Sequence, residues 1–423
     1  MLNMFSALFL AALVASTITR IWLANRQLRH VGIRRDVVPA AFRDQITPED
    51  HRKAADYTIA KTRLGILDLL YGGLLLLGWT LGGGLEFLDS VWTAANHTSL
   101  ITGAGVMVSA MLIMSLLDLP FGIYHTFVLE ERFGFNRTTI AVFIGDLIKQ
   151  AILFLVLGVP LALLALWIMQ TSGDLWWFYV WAVWMGFSLI MMWAYPAFIA
   201  PLFNRFTPLD DQQLRERIQT LLNKCGFRSQ GIFVMDGSRR SGHGNAYFTG
   251  FGNNKRIVFF DTLLNSLEGA EIEAVLAHEL GHFKLKHVQK RMLTLFLMSL
   301  AGFALLGWLA GQSWFYTGLG VSRPSDYMAL LLFMLTVPVF TFFLQPVLAH
   351  LSRKHEFEAD DYAVANASGE DLVHALVKMY RENASTLTPD PLYSAFHDSH
   401  PPAPVRVAHI SANINQSPLE AIT

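Results

Sequence analysis

Leu147-Ile-Lys-Gln-Ala-Ile-Leu-Phe-Leu-Val-Leu-Gly-Val-Pro-Leu-Ala-Leu-Leu-Ala-Leu-Trp-Ile-Met169 carries one charged residue, Lys149. A helix needs about 20 such residues to cross a bilayer, because each residue rises about 1.5 Å and the hydrocarbon is about 30 Å thick. The stretch therefore predicts a transmembrane helix. Six further windows read the same way, at 3–23, 64–84, 100–120, 176–199, 292–311 and 327–349. One such window is compatible with a buried helix of a soluble protein, but seven in one chain are not. Composition agrees, with 53% hydrophobic and 15% charged residues in 423. The expected fold is an α-helical polytopic membrane protein with seven transmembrane helices.

The segment after the first window holds Arg26, Arg29, Arg34, Arg35, Arg43, Arg52, Lys53, Lys61 and Arg63, and basic loops remain in the cytoplasm. This predicts an outside N-terminus, read as a retained anchor because it lacks a basic region ahead of its apolar run. Arg132 and Arg137 then fall inside, while 89–99 and 171–174 have no Lys or Arg and fall outside. Trp176, Trp177, Tyr179 and Trp181 fit an aromatic belt at the outer end of the fifth span. Four parts result: five spans in 1–200, a cytoplasmic α+β domain in 201–290, two spans in 291–350 and a cytoplasmic part in 351–423. Within 201–290, Leu214, Ile218, Leu221 and Leu222 have helical spacing after a Thr207-Pro208 start signal. Ile232–Met235, Asn245–Phe251 and Arg256–Phe260 read as strands. A helix from Glu271 is expected to run into the sixth span with little interruption, and the chain is expected to fray from about Gln416.

The net charge of −1 and the absence of a basic stripe exclude a nucleic-acid partner. One cysteine, Cys225, excludes a disulfide framework and leaves His, Asp and Glu as metal ligands. Ala274-Val-Leu-Ala-His278-Glu279-Leu-Gly-His282 supplies them. Residues four apart on a helix differ by about 40° of rotation, so both imidazoles reach one ion while Glu279 stays close enough to act on water beside it. A catalytic zinc takes a third protein ligand. His287 lies about 180° round a continuous helix from His278, and no glycine in Lys284-Leu-Lys286 invites a break. Ser352-Arg-Lys-His-Glu356-Phe-Glu358-Ala-Asp360-Asp-Tyr-Ala363 offers Glu356 as ligand with Asp360, one turn on, orienting an imidazole. The same spacing suits a solvated helix pairing with Arg353 or Lys354.

These motifs, with His400-Pro-Pro-x-x-x-Arg406, Glu130-Glu-Arg-Phe-Gly-Phe-Asn136 and seven spans, resemble the type I CAAX prenyl endopeptidase family of membrane zinc proteases. The resemblance implies helices enclosing a chamber, lined in part by the membrane-depth residues Asp68 and Asp118. It implies Zn²⁺ held by His278, His282 and Glu356, with Asp360 behind them and Glu279 as general base. It also implies His400 and Arg406 as the catalytic C-terminal pair, and Asn245-Ala246 as the edge that binds substrate. The expected partners are membrane lipid and a peptide or protein substrate, prenylated in that family and cut near its C-terminus. An alternative is a quality-control protease without prenyl specificity; a scaffold, or a transporter with structural zinc, leaves the intact His-Glu-x-x-His unexplained. With no KDEL-type or dilysine retrieval signal, the expected address is a bacterial inner membrane, the alternative being the endoplasmic reticulum.

Overall fold

The computed structural model describes residues 3–251 and 254–420. Its first part is helical: α1 (Met4–Ile33), α2 (Pro48–Trp79), the short α3 (Gly84–Ala94), α4 (Ser99–Tyr124), α5 (Ile140–Thr171), α6 (Trp176–Ala194) and α7 (Ala200–Phe203). Thr47, Thr98 and Thr139 start α2, α4 and α5, each accepting the backbone N–H three residues on, which satisfies a donor that the first turn otherwise leaves unpaired. Next come β1 (Phe206–Pro208), α8 (Gln212–Cys225), β2 (Ser229–Met235), β3 (Ala246–Phe251), β4 (Asn254–Phe260), α9 (Asp261–Ser266) and α10 (Gly269–Lys284). The chain continues through α11 (His287–Ala310), α12 (Ser313–Thr317), α13 (Asp326–Thr341) and α14 (Gln345–Asn366). It ends with α15 (Gly369–Glu382), α16 (Pro391–His397) and α17 (Ala403–Glu420). Helix thus persists to Glu420, and the end of the expected frayed segment, 421–423, lies outside the described residues.

Seven helical segments are long and apolar enough to cross a membrane: Met4–Ile33, Pro48–Trp79, Ser99–Glu130, Ile140–Thr171, Gly173–Phe203, His287–Ala310 and Asp326–Asn366. Their burial is uneven: the apolar window of Asp326–Asn366 is 44% buried and that of Ser99–Glu130 33%, whereas that of Gly173–Phe203 is 0% buried and that of Pro48–Trp79 is 6% buried. Ile144, Ile148 and Ile152, one turn apart on α5, are each at least 50% exposed. An apolar stripe of this kind faces lipid. The other faces of the helices leave room inside. A cavity of about 1000 Å³ lies between Arg20 to Gln27 of α1, Tyr57 to Leu69 of α2, and loops at 241–245 and 397–402. Asp68 lines this chamber, as the resemblance implied, whereas Asp118 is not among the residues lining it. The aromatic belt needs partial correction: Trp181 Nε1 donates to Ser299 Oγ at 3.1 Å, and the ring of Trp177 fills the notch at Gly307 of α11. Both pack α6 on α11, whereas Tyr179 is 47% exposed.

The sheet has the order β1-β2-β4-β3, with β2 parallel to β4 and the outer pairs antiparallel. Among the described residues strand β3 pairs only with β4, from Ala246 opposite Phe259 to Phe251 opposite Asn254, so its other edge has no strand partner there. Thr207-Pro208, expected to start a helix, lies in β1 instead. The start of α8 is Asp211, whose Oδ1 accepts the N–H of Leu214 at 2.9 Å. Ile218, Leu221 and Leu222 of α8, Ile257 and Phe259 of β4, Ala274 and Leu276 of α10, and Leu372 and Ile410 near the C-terminus share one core. The C-terminal segment is therefore part of the same domain as the sheet.

Two helices tie that domain to the membrane. A 3₁₀ turn at Phe342–Leu344 joins α13 to α14, so one nearly continuous rod runs from the spans to Glu356. Between α10 and α11 the expected continuity fails, because Lys286 adopts a left-handed conformation with φ 60°. That turn redirects the chain by one residue and restarts a helix at His287.

Candidate active site

Helix α10 begins with a capping box in which Glu268 and Glu271 exchange side-chain-to-backbone hydrogen bonds. Glu271 is buried and also receives the Lys378 ammonium of α15 at 2.7 Å. The helix is thereby fixed at its start, and its other end carries His278 and His282. Helix α14 crosses it at Gly281: a Cβ there would lie 3.0 Å from Ala359 Cα and 3.2 Å from Ala359 O. Only a residue without a side chain allows this approach. Ala359 sits between Glu356 and Asp360, so the crossing delivers both carboxylates to the histidines.

Nε2 of His278 and Nε2 of His282 are 3.2 Å apart. Glu356 Oε2 lies 3.5 Å from the first and Glu356 Oε1 3.4 Å from the second. A tetrahedral ion with bonds of about 2.0–2.1 Å separates its ligand atoms by about 3.3 Å. The three side chains fit such an ion, and they are the one His/Cys/Asp/Glu group among the described residues with ligand atoms mutually within 4.8 Å. Glu356 Oε2 is buried without an aligned hydrogen bond; His400 Nδ1 is 2.7 Å away but off the bonding direction. A buried carboxylate oxygen in that state calls for a cation.

His278 Nδ1 contacts Asp360 Oδ1 at 2.8 Å, and Arg406 on α17 holds Asp360 with both Nε and Nη2. This carboxylate fixes the imidazole so that Nε2 points at the site. Burial and the Arg406 charge oppose protonation of His278, but Asp360 and Glu356 outweigh them and push its pKa up to about 9. Burial likewise opposes the Arg406 charge, and Asp360 and Glu356 more than restore it. Arg406 is 6% exposed, so its guanidinium is committed to these carboxylates and does not face the chamber. His400 does: its side chain is 62% exposed and it lines the cavity with Asn245. Tyr380 Oη donates to Pro401 O at 3.4 Å beside it. Glu279 is partly buried and makes no hydrogen bond or ion pair among the described residues, leaving its carboxylate free.

The sequence reading set His287 aside as a ligand because a continuous helix turns it away. The helix breaks at Lys286, and His287 Nδ1 comes to 3.0 Å from His282 Nδ1. It stands behind the ligand, not among the metal-facing atoms. Its Nε2 contacts Glu358 Oε2 at 2.9 Å, and its ring stacks on His355 at 4.2 Å. His278 and His282 thus each have their own support, Asp360 for the first and His287 for the second. No glycine marks the turn at Lys286, so the sequence carried no signal for it.

A second constellation was also missed. Glu130, at the end of the α4 segment, contacts Tyr57 Oη at 2.5 Å and His243 Nε2 at 3.2 Å. His243 Nδ1 is 3.3 Å from Asn383 Oδ1, which also accepts the N–H of Gly244 at 3.0 Å. The loop that leads into Asn245 and Ala246 is therefore clamped from the membrane side and from α15. Asn245 is exposed, with Oδ1 accepting the N–H of Ala246 at 2.8 Å.

A helical membrane chamber, a pair of histidines and a carboxylate on crossing helices, a free glutamate and an open strand edge together define an integral membrane metalloprotease. Comparison with known proteins gives the same class. Residues 27–205 match the family model described as the CAAX prenyl protease N-terminal domain with five membrane helices, and residues 208–414 match peptidase family M48. CAAX prenyl protease 1 homolog of Arabidopsis thaliana is 36% identical over 403 residues, covering 92% of this chain and 93% of its own. CAAX prenyl protease 1 of Saccharomyces cerevisiae is 33% identical, covering 86% of each chain. The crystal structure of S. mikatae Ste24p superposes with a TM-score of 0.88 at 31% identity, covering 96% of this chain and 99% of that one. The chain belongs to the CAAX prenyl protease 1 group of peptidase family M48.

Proposed function

We propose that this metalloprotease uses zinc, held by His278, His282 and Glu356, to cleave prenylated CAAX-type proteins near their C-terminus, with its catalytic domain on the cytoplasmic face. The spacing of 3.2, 3.5 and 3.4 Å among the ligand atoms carries the zinc reading, since two imidazoles and a carboxylate in tetrahedral array favour that ion. Zinc supplies Lewis acidity at the scissile carbonyl and acidifies the attacking water. The substrate reading is supported by the names of the relatives at 31–36% identity and by a chamber of about 1000 Å³ lined in part by residues of two membrane-length helices.

An extended peptide adds to the free edge of β3 beside Asn245 and Ala246, where main-chain hydrogen bonds hold it in register. Glu279, unpaired in the resting site, takes the proton of the attacking water and returns it to the departing amine. His400 faces the same space, and its imidazole donates to the carbonyl oxygen as negative charge develops there. Arg406 and Asp360 act through His278 and Glu356 by holding them. The basic residues between the first two spans support the cytoplasmic placement of the domain.

The test compares wild type and Glu279→Gln in detergent, with metal content measured, on a farnesylated CAAX peptide and its unprenylated counterpart. The expected result is one zinc per chain in both proteins and cleavage of the prenylated peptide by wild type alone. Wild type without stoichiometric zinc, or Glu279→Gln with undiminished cleavage, refutes the mechanism. Equal cleavage of both peptides refutes the prenyl specificity alone.

A further inference from the structure

Arg20 lies in the α1 span and lines the chamber onto which His400 and Asn245 also face. It has no hydrogen bond and no carboxylate partner among the described residues, and its Nε is buried and unsatisfied. Its guanidinium rests on the ring of Phe342 at 4.3 Å. A charged group within a membrane span is costly, and such residues characteristically pair or serve a water-filled path. Among the described residues no carboxylate pairs with Arg20: Asp390 takes Arg26 at 2.9 Å, the Asp398 carboxyl feels Ser394, His397, Arg353 and His400, and Asp68 lines the same cavity without an ion pair to Arg20.

We propose that Arg20 binds the free C-terminal carboxylate of the substrate. The proposal rests on the C-terminal cleavage reading above and deepens it. A guanidinium binds a carboxylate through two parallel N–H···O bonds, and the contact with Phe342 is made by its flat face, not by the Nη1–Nη2 edge. Arg20, His397 and His400 line the same cavity, so one wall of the chamber runs from the cation to the proposed reaction site. A segment of three extended residues spans about 10 Å, and a cavity of about 1000 Å³ accommodates it. Substrates whose chain ends short of Arg20 lose that anchor. Lys61 is the other Lys or Arg on the same cavity, but it is exposed and also borders a second cavity of about 330 Å³, with its ammonium 5.0 Å over the Tyr57 ring.

The experiment measures kcat/KM of wild type, Arg20→Gln and Lys61→Met on one prenylated peptide with a free C-terminal carboxylate and on the same peptide as a C-terminal amide. Wild type is expected to prefer the acid by about 10- to 100-fold, the range for removing a hydrogen-bonded charge pair. Arg20→Gln is expected to cleave acid and amide equally, at the rate wild type shows for the amide, while Lys61→Met keeps the preference. Because each protein is its own control through the ratio, partial loss of folded enzyme does not alter the outcome. A wild type indifferent to amidation overturns the proposal, as does Arg20→Gln with its preference intact, or loss of the preference in Lys61→Met alone. Failure of wild type to cleave either peptide instead refutes the underlying assignment of substrate.

Discussion

Gly281→Ala tests whether the crossing of α10 and α14 sets the metal geometry. The added methyl would meet Ala359 Cα at 3.0 Å, Tyr362 Cβ at 3.1 Å and Ala359 O at 3.2 Å. Carbon atoms in comfortable contact sit about 3.5–4.0 Å apart, so the helices must separate by roughly 0.5 Å or more. Two of the three clashing atoms are backbone, so no rotamer change relieves the contact. Alanine improves the helix itself by about 1 kcal/mol, and overpacking of this kind costs about 1–3 kcal/mol, so global stability moves little. The ligand set does not share that tolerance, since metal sites hold distances within about 0.2 Å. Glu356 and Asp360 flank Ala359 on α14 and shift with it. Zinc affinity is expected to fall about 10- to 100-fold, the range seen when outer supports are lost, with activity recovering partly in excess zinc. Competition with a chelator gives the affinity, and thermal unfolding of the same samples reports the fold. Wild-type affinity in a folded Gly281→Ala protein refutes the reasoning, and so does a large loss of stability with affinity unchanged.

Asp360→Asn should weaken zinc about 10- to 100-fold by unpairing Arg406 and freeing the His278 ring, and chelator competition reads it. His287→Ala should cost less, about 10-fold, because it supports one ligand only; equal zinc affinity in wild type and variant removes His287 from the site. Glu130→Gln releases the clamp on the loop before Asn245, and should raise KM with zinc content unchanged; a pure kcat effect contradicts that role. Asp390 is held below the usual carboxylate range: burial opposes its charge, but Arg26 and the Tyr393 and Leu392 N–H groups outweigh burial. Its stabilising contribution is therefore present above the unfolded value and lost as pH falls through the lower folded one. Acid should loosen the segment carrying His400, seen as faster proteolysis of the C-terminal part at low pH in wild type than at neutral pH, with Asp390→Asn equally susceptible at both.

The spans were legible because membrane insertion depends on composition over a long window, and each window overlaps a long helix. The HExxH helix was legible for a related reason: its chemistry is confined to one turn, and α10 presents the turn as read. What escaped depends on contacts between distant segments. His287 was set aside on a rule about continuous helices, and the rule fails at Lys286, a non-glycine residue in a left-handed conformation. The alternative of a solvated helix around Glu356 disappears only when Gly281 is seen against Ala359, a pairing 78 residues apart that no periodicity encodes. Likewise the Glu130 motif carried a family likeness but no visible purpose until His243 and Asn383 met it.

The same contacts tie the His278, His282 and Glu356 cluster to the membrane helices. Glu356 stands on a rod that rises from the last span through α13 and α14, and His282 stands on a helix that turns once and becomes α11. Both ligand-bearing elements are therefore continuous with the spans on one side of the chamber. On the other side, Glu130 of the α4 segment grips the loop of β3, while Arg26 and Gln27 of α1 hold the Asp390 end of α16, seven residues before His397. His400 and the Asn245-Ala246 edge thus take their relative positions from the walls of the cavity, not from the sheet domain alone. A domain excised from the spans would keep the core around Ile218, Phe259 and Leu276, yet lose the restraints on Asn245 and His400. Such a fragment should fold around the sheet and bind metal through His278, His282 and Glu356 with little catalysis. Full activity from the fragment would show that the walls are a container and nothing more.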